Sequence, residues 1–234
     1  MKTIGLIGGT SWESTLEYYR IINELVRDRL GGFHSAKILL YSVDFDEFVK
    51  LMNDGRWNEI ADRLIEIATK LERCGAELLL ICTNTMHRVA DEVQKVISIP
   101  LVNIIDVTAE KIKEKGLKRV GLLGTKFTME DEFYKNRLKS HGIDVVIPED
   151  DERDFVHDVI MKELCFGIVK ESSKDKFREI IEKLISKGAE GIVLGCTEIP
   201  LLIKQEDCNV PLFDTTRIHA EAAVELALNY DPQK

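Results

Sequence analysis

The second half of the chain repeats the first. Thr3-Ile-Gly-Leu-Ile-Gly8 is matched by Arg119-Val-Gly-Leu-Leu-Gly124. Gly75-Ala-Glu-Leu-Leu-Leu-Ile-Cys-Thr83 is matched by Gly188-Ala-Glu-Gly-Ile-Val-Leu-Gly-Cys196, and Ile99-Pro-Leu-Val102 by Val210-Pro-Leu-Phe213. The spacing between copies drifts by a few residues, as small loop changes would produce. Short apolar runs predict strands at residues 3–8, 36–43, 78–82, 100–102 and 119–124. The run at 78–82 is apolar on both faces, as a strand inside a parallel sheet is. Between the runs the period changes. Trp57, Ile60, Leu64, Ile67 and Leu71 recur three and four apart and predict an amphipathic helix over 57–73. Further helices are predicted over 13–29, 85–96 and 215–229. Strand–helix alternation of this kind makes parallel sheets covered by helices. The fold class is therefore α/β: two similar parallel-sheet domains related by pseudo-twofold symmetry. Residues 1–104 plus 214–234 form one, with a returning C-terminal helix, and residues 105–213 form the other. Their strand ends are expected to face a shared cleft, the usual ligand position in open α/β sheets.

Composition narrows the class of function. With 44% hydrophobic and 31% charged residues, the 234-residue chain has a core and a solvated surface to build. No apolar run approaches the roughly 20 residues of a membrane helix. Residues 1–9 read as a strand entering a turn, not as a signal peptide. Thirty-two basic against 41 acidic residues give a net charge of −9, which argues against nucleic-acid binding. Five scattered cysteines, with no CxxC pair, indicate neither a disulfide framework nor a zinc site. A reducing cytoplasm is the expected location.

The glycines after the first run invite a dinucleotide reading, but GxGxxG spacing is absent and no P-loop pattern occurs. Gly8-Gly9-Thr10 is either a tight β–α turn or a turn whose free N–H groups meet a carboxylate. Two polar turns carry more chemistry: Cys82-Thr83-Asn84-Thr85 and Gly195-Cys196-Thr197-Glu198. Each follows an apolar strand and precedes a predicted helix, a position that lowers a thiol pKa from its free value of about 8.5. The ungapped repeat sets Cys196 against Thr83, not against Cys82. Neighbouring strand side chains point to opposite faces, so Cys82 turns away if Thr83 faces the cleft. A bulge at the strand end would reverse this, and Cys82 stays open as the alternative. Cys74, Cys165 and Cys208 are expected to be inert.

The polar turns, with Ser11-Trp12-Glu13-Ser14-Thr15, Cys82-Thr-Asn-Thr-Met-His87, Leu123-Gly-Thr-Lys-Phe-Thr-Met129, Glu163-Leu-Cys-Phe-Gly167, Gly195-Cys-Thr-Glu-Ile199 and Phe213-Asp-Thr-Thr, resemble the aspartate/glutamate racemase family. The likeness spans nearly the whole chain and points to the L-aspartate/glutamate-specific, broad-specificity amino-acid racemase subgroup. It implies inversion of an amino-acid α-carbon without pyridoxal phosphate or any other cofactor. One acid/base group comes from each half, and the subgroup implies the Thr83/Cys196 pair. The L enantiomer is then the one whose α-proton faces Cys196. The resemblance also implies substrate contacts from Thr10, Asn84, Thr85, Thr125 and Thr197, no metal, and commonly a homodimer. Glu198 either orients Cys196 or caps the following helix. His87 and His219 fall in predicted helices; His87 lies one turn from the motif, where it either tunes the site or occupies an ordinary helix surface.

Two departures touch substrate choice. Aspartate-specific members carry an arginine after the second strand, where this chain reads Ser42-Val-Asp-Phe-Asp-Glu-Phe48. Their lysine before the glycine corresponding to Gly167 falls on Cys165. Lys162, Arg56 and Lys126 are the candidate replacement cations, each supplying a charge from a different direction. The competing functions are a maleate-isomerase-like or decarboxylase enzyme of the same superfamily, and a non-catalytic small-molecule-binding protein.

Overall fold

A computed structural model describes residues 1–229. It divides into two compact units, one comprising Met1–Asn103 and the chain from His219 onward, the other Ile104–Ile218. The first unit contains β1 (Ile4–Gly8), α1 (Trp12–Leu30), β2 (Ile38–Ser42), α2 (Phe45–Asn53), α3 (Trp57–Arg73), β3 (Leu78–Ile81), a 3-10 turn (Thr85–Val89) and α4 (Ala90–Gln94). The second contains α5 (Ile104–Glu114), β4 (Arg119–Gly124), α6 (Lys126–Glu130), α7 (Glu132–Ser140), β5 (Asp144–Val146), α8 (Asp150–Lys162), a 3-10 turn (Leu164–Phe166), α9 (Glu171–Ser186), β6 (Ile192–Gly195), α10 (Ile199–Leu202) and β7 (Leu212–Asp214). The last helix, α11 (Thr215–Leu228), begins in the second unit and belongs to the first from His219 onward.

Each unit is a parallel sheet, in order β2-β1-β3 and β5-β4-β6-β7 respectively. The fold class is thus two parallel-sheet α/β regions. In both sheets the first strand lies between its two successors, so the connection reverses direction beside it. The crevice at such a switch point, at the strand C-terminal ends, is where open α/β sheets hold ligands. The β1 and β3 ends carry Gly9-Thr10 and Cys82–Thr85; the β4 and β6 ends carry Thr125 and Cys196–Glu198.

Period-two alternation builds the second unit's core. Leu123, Ile192 and Leu194 pack against Val156, Ile160, Phe177 and Leu184. Val120, Leu122, Val193 and Phe213 pack on the other face with Ile105, Ile112, Tyr134 and Leu138. In the first unit Leu78, Leu79, Leu80 and Ile81 are all buried, together with Ile4, Leu6 and Ile7. Each such side chain contributes about 1.5–3 kcal/mol on burial. No helix among the described residues is long and apolar enough to cross a membrane.

Two expected elements come out differently. The helix expected over 85–96 is the 3-10 turn followed by the short α4. Met86, Val89, Ala90 and Val93 are all buried there, and no side chain caps the start of either piece. Thr85, Met86 and His87 are also buried in succession, so burial on several sides at the start replaces the single apolar stripe that sustains a longer helix. The strand expected at 100–102 reduces to one bridge, Leu79 to Leu101. Its hydrogen bonds run from Leu79 N to Pro100 O and from Val102 N to Leu79 O, both 2.9 Å.

Candidate active site

The ladders fix which residues of the two turns are equivalent. Ile7 pairs with Ile81 in the first sheet, and Leu123 pairs with Leu194 in the second. Those four positions are also partners in the sequence repeat. Counting onward, Cys82 is the counterpart of Gly195, Thr83 of Cys196, Asn84 of Thr197 and Thr85 of Glu198. Cys82 N still donates to Ile7 O at 2.9 Å, so the register runs unbroken into the turn. Cys82 is 0% exposed, and burial pushes its thiol far above the ordinary range. Thr83, next along, is half-buried.

Close strand approach positions the second turn. Gly124 and Gly195 are ladder partners. A β-carbon on Gly195 would lie 2.9 Å from both Leu123 O and Leu122 Cδ1, distances that side-chain atoms do not tolerate. The turn that follows is buried. Cys196 Sγ donates to Glu198 Oε2 at 2.9 Å, and Thr197 Oγ1 donates to the same oxygen at 2.8 Å. One carboxylate oxygen therefore gathers the thiol and the neighbouring hydroxyl.

The Cys196 thiol is held well above its ordinary pKa, first by burial, then by the negative charge of Glu198 and the neighbouring Cys165. This reverses the direction expected from a helix start. Burial and the Glu198 charge outweigh the helix start, and α10, from Ile199 to Leu202, is barely one turn, too short to accumulate the dipole of a long helix. A thiol facing a carboxylate is a poor spontaneous thiolate, but it has a proton acceptor within hydrogen-bond reach.

The first turn is tied by different groups. Ser14 Oγ donates to Cys82 O at 3.3 Å, Thr83 N donates to Ile81 O at 2.8 Å, and the His87 ring donates from Nδ1 to Thr83 O at 2.8 Å. His87 is buried, not on a helix surface.

The remaining candidates divide by what their polar atoms already do. Thr10 is buried and its hydroxyl has no hydrogen-bond partner among the described residues. Asn84 and Thr85 are buried beside Thr83. Thr125 caps α6, its hydroxyl accepting from Thr128 N at 3.4 Å and lying 3.2 Å from Thr128 Oγ1. The glycine turn is structural at Gly9: its N–H donates to Thr15 Oγ1 at 2.8 Å, and a β-carbon there would collide with the Val43 backbone. The three candidate cations for a distal carboxylate each have an acidic partner. Arg56 pairs with Glu59, Lys162 with Asp158 and Lys126 with Asp154. Cys165 packs against the same hydrophobic cluster that contains Cys196.

The family model for Asp/Glu/Hydantoin racemase matches residues 7–223, which include both turns. The chain belongs to that family. It is 26% identical to the broad specificity amino-acid racemase RacX of Bacillus subtilis over 97% of this chain and 99% of that one. Among solved structures, it resembles a protein of Yersinia pestis provisionally named an Asp/Glu racemase. There the identity is 51%, the TM-score 0.92, and the coverage 98% of this chain and 100% of the other. An aspartate racemase homologue from Pyrococcus horikoshii matches with 43% identity, a TM-score of 0.86 and coverage of 98% and 100%.

Proposed function

We propose that this family member is an amino-acid racemase that inverts the α-carbon of aspartate- or glutamate-type substrates without a cofactor, using Cys196 and Thr83. The observation that carries the reading is the 2.9 Å contact between the Cys196 thiol and the Glu198 carboxylate, at the position equivalent to a half-buried Thr83. Inversion requires proton removal from one face of the α-carbon and proton delivery to the other. With the L substrate, the Cys196 S–H proton passes to Glu198 and the resulting thiolate takes the α-proton. Thr83 then gives its hydroxyl proton to the opposite face and regains one from solvent water, while Glu198 returns the proton it took to solvent, which resets both groups. The reverse direction exchanges these roles. This proton balance needs no external redox or group-transfer partner.

The unpartnered Thr10 hydroxyl supports a substrate contact, since a buried hydroxyl left unpaired costs about 1–3 kcal/mol. Asn84 and Thr85 are placed with it in this reading; Thr197 and Thr125 contribute through groups already engaged with Glu198 and Thr128. A thiol in this role suits a reducing compartment such as the cytoplasm. A homodimer is part of the same reading. Trp12, Leu16 and Tyr19 recur along α1 and are exposed, Trp12 by 65%, and a second copy would cover them. Light scattering of the purified protein tests that assembly.

The activity is tested by ¹H NMR in D₂O with each L-amino acid. Loss of the α-proton signal with parallel appearance of the D enantiomer is expected for aspartate or glutamate. Consumption of substrate with release of CO₂, or binding with no α-proton exchange, rejects racemisation.

A further inference from the structure

Three aromatic rings are packed edge to face behind the Thr83 turn. His219, from α11, is completely buried. Its Nε2 lies 2.7 Å from Val102 O, a carbonyl that can accept and not donate, so the ring proton sits on Nε2. Its Nδ1 then accepts from the Tyr18 hydroxyl at 2.8 Å. Burial holds the ring neutral, with a pKa lowered to about 3, in keeping with that tautomer. Tyr18 meets His219 at a centroid separation of 5.6 Å and an angle of 87°. His219 meets His87 at 5.7 Å and 71°, and His87 donates to Thr83 O.

Filling this space with apolar residues would avoid the cost of burying two imidazoles and a phenol. What the polar groups add is direction. Val102 and Tyr18 fix the rotation of the His219 ring, and the His219 ring limits the rotation of the His87 ring. His87 in turn fixes the carbonyl of the residue that the mechanism uses. Fully paired buried networks specify one geometry in this way.

We propose that His87 and His219 form a positioning pair that sets the direction of the Thr83 side chain for proton delivery. The inference rests on the reading of Thr83 as an acid/base group. Neither imidazole is assigned contact with substrate. Their effect passes through the Thr83 backbone, so they act on the inversion step and leave the Cys196 side of the reaction alone. Misplacement of an acid/base group by a fraction of an ångström costs about 10-fold or more in rate.

The test follows two signals in D₂O, with L-aspartate and L-glutamate in turn: appearance of the D enantiomer, and deuterium gained by the unreacted L substrate. Thr83→Ala is the reference. Without Thr83, the carbanion formed on the Cys196 side returns by way of that same side. Inversion then falls while deuterium enters the remaining L substrate. His219→Phe keeps a ring and removes both hydrogen bonds; His87→Phe removes the donor to Thr83, and His87→Asn restores one. His219→Phe and His87→Phe are expected to lower kcat for inversion about 10-fold, with KM changed less than about twofold and deuterium entry preserved. His87→Asn is expected to recover most of the loss. Should His219→Phe fail to fold, Tyr18→Phe, which removes a single hydroxyl, carries the same test with a loss of about threefold. Unchanged inversion in these variants, or inversion and exchange falling together, overturns the positioning pair. Thr83→Ala with normal inversion overturns the reading of Thr83 itself, and the pair with it.

Discussion

The turn after β3 and the turn after β6 occupy the same ladder position and differ in their chemistry. In the second, a carboxylate two residues past the thiol accepts from both Cys196 and Thr197. In the first, the residue at Glu198's position is Thr85, and the contacts around Thr83 run through backbone carbonyls, Ser14 and His87. A duplicated scaffold has therefore kept the placement of a side chain at each strand end while its surroundings diverged. In the proposed mechanism the thiol side passes its proton to Glu198. The threonine side has no carboxylate at the matching position, and in that mechanism it depends on being held in the right direction. The two directions of racemisation then share one value of kcat/KM, because enantiomers are equal in free energy. Their kcat and KM values are free to differ.

The largest break in this comparison is loss of the thiol. Cys196→Ser keeps the size and polarity of the group but substitutes a hydroxyl that Glu198 does not ionise near neutrality. Inversion is expected to fall about 10³-fold in both directions, with the thermal unfolding midpoint near that of the parent. A serine variant with near-parental turnover would remove Cys196 from the mechanism.

The next effect concerns the carboxylate. Glu198→Gln leaves a group that can still hold the Thr197 hydroxyl but takes no proton from the thiol. We expect kcat to fall about 10²-fold. The pH profile adds a sign. Glu198 raises the Cys196 pKa through its charge and its hydrogen bond, in addition to burial. Removing the charge lowers that pKa, so the limb of activity governed by thiol ionisation should move to lower pH. A limb that stays in place, or moves upward, would show that Glu198 does not act on the thiol in the working enzyme.

How much of this was legible in the sequence depends on the range of the interaction. The helix expected over 57–73 is α3 to the residue, and the strand over 119–124 is β4 to the residue. One has a strict three-and-four apolar spacing, and the other an apolar run ending in glycine; both signals are local. The Thr83–Cys196 correspondence was legible because the repeat carries it without a gap. The direction of the Cys196 pKa was not, since a sequence shows a helix start but not how few residues the helix will keep or how deeply the thiol sits. His87 and His219 were the hardest to read. Each is an isolated polar residue in a helical stretch, and its burial depends on contacts with α1, Val102 and the other histidine that no local period encodes. The unpartnered Thr10 hydroxyl likewise emerges only when every neighbour is in place.

The smallest effect is the most discriminating for the register. Cys82 and Thr83 are adjacent, and a one-residue slip would exchange their roles. The structure separates them by environment: Cys82 is sealed against the sheet at Gly195's counterpart position, and Thr83 is half-buried. Cys82→Ala removes a sulfur from a packed interior, so it should lower stability by about 1 kcal/mol through the small cavity it leaves. Turnover in both directions should stay within about twofold of the parent, because no proton passes through that thiol. Urea unfolding supplies the first quantity and chiral product analysis the second. The alternative makes the opposite pairing of outcomes: if Cys82 is the second acid/base group, its alanine variant loses inversion while keeping most of its stability, and Thr83→Ala remains active. That result would mean the strand end slips on binding substrate, and the ladder register from Ile7–Ile81 would no longer identify the working side chain.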